Sequence, residues 1–184
     1  RRGGQDGHAM DIIVNPSASH FAFGKHLVRE RLVLEGSRSM AVTYLYANLL
    51  GNEAGRVIYD GGCYIAQNGK LLAQSPRLTF DDSVLTVAVV DVEASRTEQV
   101  RTTSFLADST DPEAKRTSVD FEFPRASMKR TEPARPPWEA SEQHKEEELM
   151  RSLTLALFDY LRKSHSRGFV LSISGGADSA AAAC

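Results

Sequence analysis

Gly168-Phe169-Val170-Leu171-Ser172-Ile173-Ser174-Gly175-Gly176-Ala177-Asp178-Ser179 runs from an apolar stretch through a double glycine into the alanines 180 to 183. It predicts a buried strand over 168–173, a tight turn, and the start of a helix. That order belongs to α/β layers, where ligands bind beyond the C-terminal ends of parallel strands. Gly175 and Gly176 permit positive φ and close backbone approach. The nascent helix offers unpaired N–H groups and a partial positive charge. Ser174 and Ser179 add hydroxyl donors, so the stretch has the makings of an anion nest. Asp178 either caps the new helix or reaches a Mg²⁺ that bridges to phosphates. No GK[ST] follows, so the loop is not a Walker A sequence. Without the strand before it, the same glycines would read as a plain turn with serine caps.

Upstream of this stretch the spacing predicts a helix from about 143 to 163. Acidic Glu146, Glu147 and Glu148 lie in its first turns, and Arg162 and Lys163 in its last, as its dipole favours. Leu149, Leu153, Ala156, Leu157 and Tyr160 form its apolar stripe. Before it, residues 93–143 hold five of the seven prolines, at 112, 124, 133, 136 and 137, with dense charge between them. This composition predicts a linker or surface-wrapping arm. Its aromatics, Phe105, Phe121, Phe123 and Trp138, argue for docking rather than full disorder.

The first half predicts a strand over 11–14 closed by Asn15-Pro16-Ser17, a helix near 25–39, and a β-branched and aromatic strand over 42–49. Together these make a βαβ-like unit. A hairpin region follows, with 56–60 and 63–67 flanking Gly61-Gly62. Asn68-Gly69 is a strong turn signal before Lys70-Leu71-Leu72-Ala73. Val84 to Val92 reads as an apolar strand, the last of a first domain.

Hydrophobic residues make up 41% of the 184 and charged residues 25%, which predicts a soluble globular protein. The net charge of −2 gives no reason to expect nucleic acid or an anionic membrane as partner. Cys63 and Cys184 lie far apart and the five histidines are scattered, so neither supplies metal-ligand spacing. The thiols are expected to be reduced in a cytoplasmic setting. The first residue is not Met, and the alanine-rich helix has barely begun at Cys184. Both ends are therefore expected to be cut from a longer chain.

The run Ser172 to Ser179 resembles the SGGxDS loop of ATP pyrophosphatases with an adenine nucleotide α-hydrolase-like fold. Asn15-Pro16-Ser17-Ala18-Ser19-His20-Phe21 with Gly24-Lys25, Tyr46-Ala47-Asn48-Leu49-Leu50-Gly51 and Ile58-Tyr59-Asp60-Gly61-Gly62 resemble the C-terminal half of a nitrilase-type glutaminase domain. The two in this order are the arrangement of glutamine-dependent NAD synthetases. The resemblance implies an α/β chain. Residues 1–92 would be the later part of a nitrilase-like α-β-β-α sandwich and 93–142 an arm. Residues 143–184 would be the first helix, strand and loop of a Rossmann-like synthetase domain.

By the same resemblance the parent enzyme amidates deamido-NAD to NAD with ammonia from glutamine, using ATP and Mg²⁺ and releasing AMP and pyrophosphate. Ser172, Ser174, Gly175, Gly176, Ala177, Asp178 and Ser179 would bind ATP pyrophosphate. Ser19 and Lys25 would hold glutamine, and the parent would be a homo-oligomer. The glutaminase Glu-Lys-Cys triad would precede Arg1, so residues 1–184 alone are expected to be inactive. Cys63 has no neighbouring His or Lys in sequence to lower its pKa and reads as a structural thiol. Two further readings stand: a non-catalytic module that docks on full-length synthetase, and another amidotransferase with this loop.

Overall fold

A computed structural model describes residues 10–102, 117, 119–122 and 135–184. Phe105, Phe123 and the prolines at 112, 124 and 133 lie outside the described residues.

Strand β1 (Ile12–Ser17), helix α1 (Lys25–Ser39) and strand β2 (Thr43–Asn48) form the expected unit, with β1 and β2 parallel and Ile12 opposite Thr43. β1 continues through Asn15-Pro16-Ser17 rather than closing there. It lies at the edge of the sheet. A proline without an N–H removes no ladder bond on an outer edge.

The Gly61-Gly62 hairpin is corrected. Strand β3 (Leu50–Glu53) pairs with β4 (Val57–Asp60) as a separate two-stranded ribbon. Strand β5 (Cys63–Gln67) pairs instead with β2 and with β6 (Lys70–Gln74), both antiparallel. The main sheet is thus mixed, in the order β1-β2-β5-β6. Gly61, at φ 72°, turns the chain from the ribbon back into the main sheet. Its N–H donates to Leu49 O at 2.9 Å, and Asn48 N–H donates to Gly62 O at 3.1 Å. Asn68 and Gly69, at φ 49° and 81°, make the expected tight turn between β5 and β6.

One face of the sheet packs on α1. Val33, Tyr44, Tyr46, Tyr64 and Ala66 form the buried cluster, with Ile13, Leu34 and Leu71 against it. Tyr46 and Tyr64 sit directly opposite in register, their rings 6.1 Å apart, and such cross-strand pairs stabilise a sheet. Ser37 on α1 accepts from Gly69 N–H at 2.9 Å, which ties the β5–β6 turn to the helix.

The strand expected over Val84 to Val92 is not one. Residues 84–91 have no ladder partners, although their exposure alternates along much of the run. Gln67 Nε2 donates to Asp91 O at 2.6 Å, which fastens the end of the segment to β5. Helix α2 (Val92–Arg101) follows, with the Asp91 carboxylate accepting from Ala94 N–H as its N-cap. It docks through Gln99, which donates to the carbonyls of Met10 and Ala41, and through a bidentate Arg96–Asp11 pair.

Helix α3 (His144–Ser164) has nearly the expected bounds, preceded by a 3-10 turn at Pro137–Ala140. Its buried face is not the expected one. Glu148, Ser152, Leu155 and Asp159 are buried, whereas Leu149, Leu153, Leu157 and Tyr160 are exposed. The polar stripe wins because Glu148 and Asp159 find cationic and N–H partners on the sheet region. The strand expected over 168–173 is also absent. Phe169, Val170, Leu171 and Ile173 are exposed and carry no ladder, because no described strand lies beside them. A short helix α4 (Ala177–Ala183) ends the chain. Among the described residues, no helix is long and apolar enough to cross a membrane.

Candidate functional site

The C-terminal ends of β1 and β2 bring Ser17 opposite Asn48, and the chain then loops through Ser19 and His20 to α1. Asn48 holds that loop from both sides. Its Oδ1 accepts from Ser19 N–H at 2.8 Å, and its Nδ2 donates to Ser19 O at 2.9 Å. Arg29, one helical turn into α1, donates from Nε to Ser19 Oγ at 3.2 Å and from Nη2 to the carbonyls of Ser19 and His20. Lys25 Nζ donates to His20 O at 3.0 Å. Lys25 and Arg29 thus meet at the His20 carbonyl, and Arg29 also holds Ser19 Oγ. Ser19 Oγ keeps a lone pair and its proton, and Lys25 keeps two N–H donors.

Beneath the loop lies Asp60, whose side chain is 1% exposed. Arg29 Nη1 lies 2.7 Å from both of its oxygens, and Asn48 Nδ2 and Gly62 N–H also donate to Oδ1. Burial alone would raise the Asp60 pKa, but Arg29 and these donors hold it below the usual carboxylate value. Removing one partner of such a buried pair costs about 3–5 kcal/mol.

The network continues through Arg77, which follows β6. Its Nη1 lies 3.6 Å from Asp60 Oδ2 and 2.8 Å from Glu148 Oε1, and its Nε lies 2.8 Å from Glu139. The Trp138 ring covers the guanidinium at 5.2 Å. Burial works against the Arg77 charge, yet Glu139, Glu148 and Asp60 raise its pKa. His26 Nδ1 sits 3.5 Å from Glu148 without a hydrogen-bond partner. Burial, with Arg77 beside it, lowers the His26 pKa from 6.5 to about 4.

Sequence reading missed Arg29, Asp60 and Arg77 as site residues. A signal existed for Arg29: it shares the buried face of α1 with Val33 and Ser37, spaced four apart, and a charge on a core stripe needs a partner. No local pattern marks Arg77, whose carboxylates come from 62 and 71 residues away.

The second cluster is the loop before α4. Gly175 adopts φ 79°, the left-handed conformation expected of it. Ser179 Oγ donates to Gly176 O at 3.0 Å and accepts from Ser174 N–H at 3.3 Å. Ser174 Oγ lies 3.2 Å from Ser179 Oγ and accepts from Gly176 N–H at 3.4 Å. The two serines therefore cross-brace the turn. α4 has no side-chain cap, so Asp178 does not take the capping role. It lies in the first turn, exposed, as does Ser172 in the extended segment before it. Among the described residues, no hydrogen bond joins this loop to the Ser19 cluster, and no group of three or more His, Cys, Asp or Glu side chains is placed to hold a metal.

Cys63 is half-buried and unpaired, and burial pushes its thiol pKa up. A raised thiol is a poor nucleophile at neutral pH.

No protein-family model matches the chain. It is 36% identical over 182 residues to the glutamine-dependent NAD(+) synthetase of Mus musculus, covering 98% of this chain and 25% of the mouse protein. It is 33% identical over 178 residues to that of Saccharomyces cerevisiae, again covering 25% of the relative. Among solved structures, the glutamine-dependent NAD(+) synthetase from Cytophaga hutchinsonii superposes with a TM-score of 0.61 at 39% identity, over 94% of this chain and 21% of that one. The enzyme of the same name from Acinetobacter baumannii, solved with ADP, gives 0.57 at 19% identity, a likeness of fold. The chain thus spans about a quarter of the length of the curated relatives it matches. Along nearly its whole length, this α/β chain is homologous to one segment of the glutamine-dependent NAD(+) synthetases.

Proposed function

We propose that the chain carries parts of both sites of an ATP-dependent carbon–nitrogen ligase that amidates deamido-NAD to NAD with ammonia from glutamine. On this reading residues 1–92 belong to a nitrilase-like glutaminase region, 93–142 to a connecting arm, and 143–184 to the start of the synthetase region. The observation that carries the reading is the near-complete match to a segment of these synthetases, together with the braced Ser174 loop at the start of α4.

Ser19 and Lys25 would bind the α-amino and α-carboxylate groups of glutamine. Both retain hydrogen-bonding capacity after their contacts to Arg29 and His20. Ser172, Ser174, Gly175, Gly176, Ala177, Asp178 and Ser179 would cradle the pyrophosphate of ATP through backbone N–H groups and hydroxyls. One exposed carboxylate beside a phosphate cradle suits Mg²⁺, which binds through one or two carboxylates and otherwise phosphate and water. Asp178 fits that role. The ion would neutralise phosphate charge.

The test is an NMR titration of the ¹⁵N-labelled chain. Glutamine is expected to shift the Ser19 and Lys25 amides, and Mg²⁺-pyrophosphate those of Gly175, Gly176 and Ser179. Shifts scattered elsewhere, or none at saturating ligand, would overturn the assignments. Residues 1–184 alone are expected to release no ammonia from glutamine, since Cys63 lacks the electrostatics of a nucleophile. Ammonia release by the purified chain would refute that expectation.

A further inference from the structure

Arg77 faces two regions at once. On one side is Asp60, which also holds Arg29 and Asn48, the two residues that clamp Ser19. On the other side are Glu139, in the turn before α3, and Glu148, in the first turns of α3. Asp60, Arg77 and Glu148 are all buried, so their charges act on one another with little screening by water.

We propose that Arg77 is a positioning residue that couples the Ser19 loop to helix α3. Neutralising Glu148 leaves Arg77 with one fewer partner and draws it toward Asp60. There it competes with Arg29 and Asn48 for the carboxylate oxygens, and the clamp on Ser19 loosens. The reverse path runs from the loop through Asp60 and Arg77 to the helix that leads into the Ser174 loop. The link between two ligand sites rests on the proposed roles of Ser19 and Ser174, whereas the coupling itself is testable without ligand.

The test is amide hydrogen exchange on the full chain, read at Ser19, whose N–H is held by Asn48. Glu148→Gln is expected to speed exchange at Ser19 by at least about threefold through local opening. Asp159→Asn loosens the same helix at its other end, where the carboxylate accepts from Asn52 N–H, and is expected to leave Ser19 unchanged. In an Arg77→Met background, Glu148→Gln is expected to have no further effect at Ser19. Arg77→Gln, which also removes the charge, serves the same purpose if Arg77→Met fails to fold. No response at Ser19 to Glu148→Gln would overturn the coupling. An equal response to Asp159→Asn would overturn it too, because helix loosening alone would then explain the effect. A persisting response in the Arg77 variants would assign the path to other residues. Glutamine titration is read separately: failure to shift Ser19 removes glutamine from the account while the exchange result still decides the coupling.

Discussion

The sheet region and helix α3 are stabilised by opposite means. The sheet buries three tyrosines and Ala66 against Val33 of α1. Helix α3 turns Glu148, Ser152 and Asp159 inward with Leu155 and leaves its leucine stripe outside. An apolar core is held by area and tolerates small shifts in geometry. A charged dock is held by a few short contacts: Asp159 Oδ2 accepts from Asn52 N–H at 2.6 Å, and Lys163 and Arg162 flank the same carboxylate at 2.7 and 2.6 Å. The first should lose stability gradually under truncation, and the second steeply at whichever contact loses its partner.

The hardest blow to the sheet region is Tyr46→Ala, which empties the centre of the cluster and removes the Tyr64 ring contact. A cost of about 3–4 kcal/mol is expected in urea unfolding. A loss under about 1 kcal/mol would mean that the tyrosine layer is not the core.

Gly51→Ala strikes the dock instead. Gly51 sits at φ 108°, and an added Cβ would collide with the Asp159 carboxylate. The expected cost is about 2–3 kcal/mol of strain and lost contacts. Hydrogen exchange should locate it in α3, with β2 and β5 still protected. Uniform loss of protection would show that dock and core unfold as one unit.

This contrast explains what could be read from sequence. The bounds of α1 and α3 and the Asn68-Gly69 turn followed from local periodicity and turn chemistry. The buried face of α3 did not, because its choice depends on Arg77 and on the backbone of Asn52, 71 and 107 residues distant. The 168–173 run has the composition of a strand, but a strand exists only by pairing, and none of the described residues pairs with it. The Ser19 and Ser174 clusters were visible as motifs. The Arg29–Asp60–Arg77 network that supports the first was not, since its members come from α1, the end of β4 and the segment after β6.

The dock should also respond to pH through His26. Its side chain is 14% exposed and is faced by Glu148, Arg77, Asp60, Arg29 and Arg135. Between pH 6.5 and about 4 the unfolded chain binds a proton at this position that the folded chain does not. Stability is therefore lost as pH falls through that window. After allowance for partial exposure, the loss is roughly 2 kcal/mol. Asp60 acts in the same direction but at lower pH, since its folded pKa lies below the ordinary value. Urea unfolding from pH 7 to 4 should show the slope, and His26→Gln should flatten it. An unchanged slope in that variant would place the titrating group elsewhere.

The smallest effect should come from the stripe that periodicity marks as the core of α3. Leu153 is 50% exposed and Leu157 is 47% exposed, whereas Leu155 between them is 2% exposed. Glutamine has nearly the helix propensity of leucine, so Leu153→Gln and Leu157→Gln should each change stability by less than about 0.5 kcal/mol. Leu149, Met150, Leu153 and Leu157 together leave an apolar strip of the kind that drives association. The double variant should therefore sediment with less self-association at equal stability. If either substitution instead costs more than about 1 kcal/mol, the stripe is packed in solution, and the contrast between an apolar core and a charged dock fails at α3.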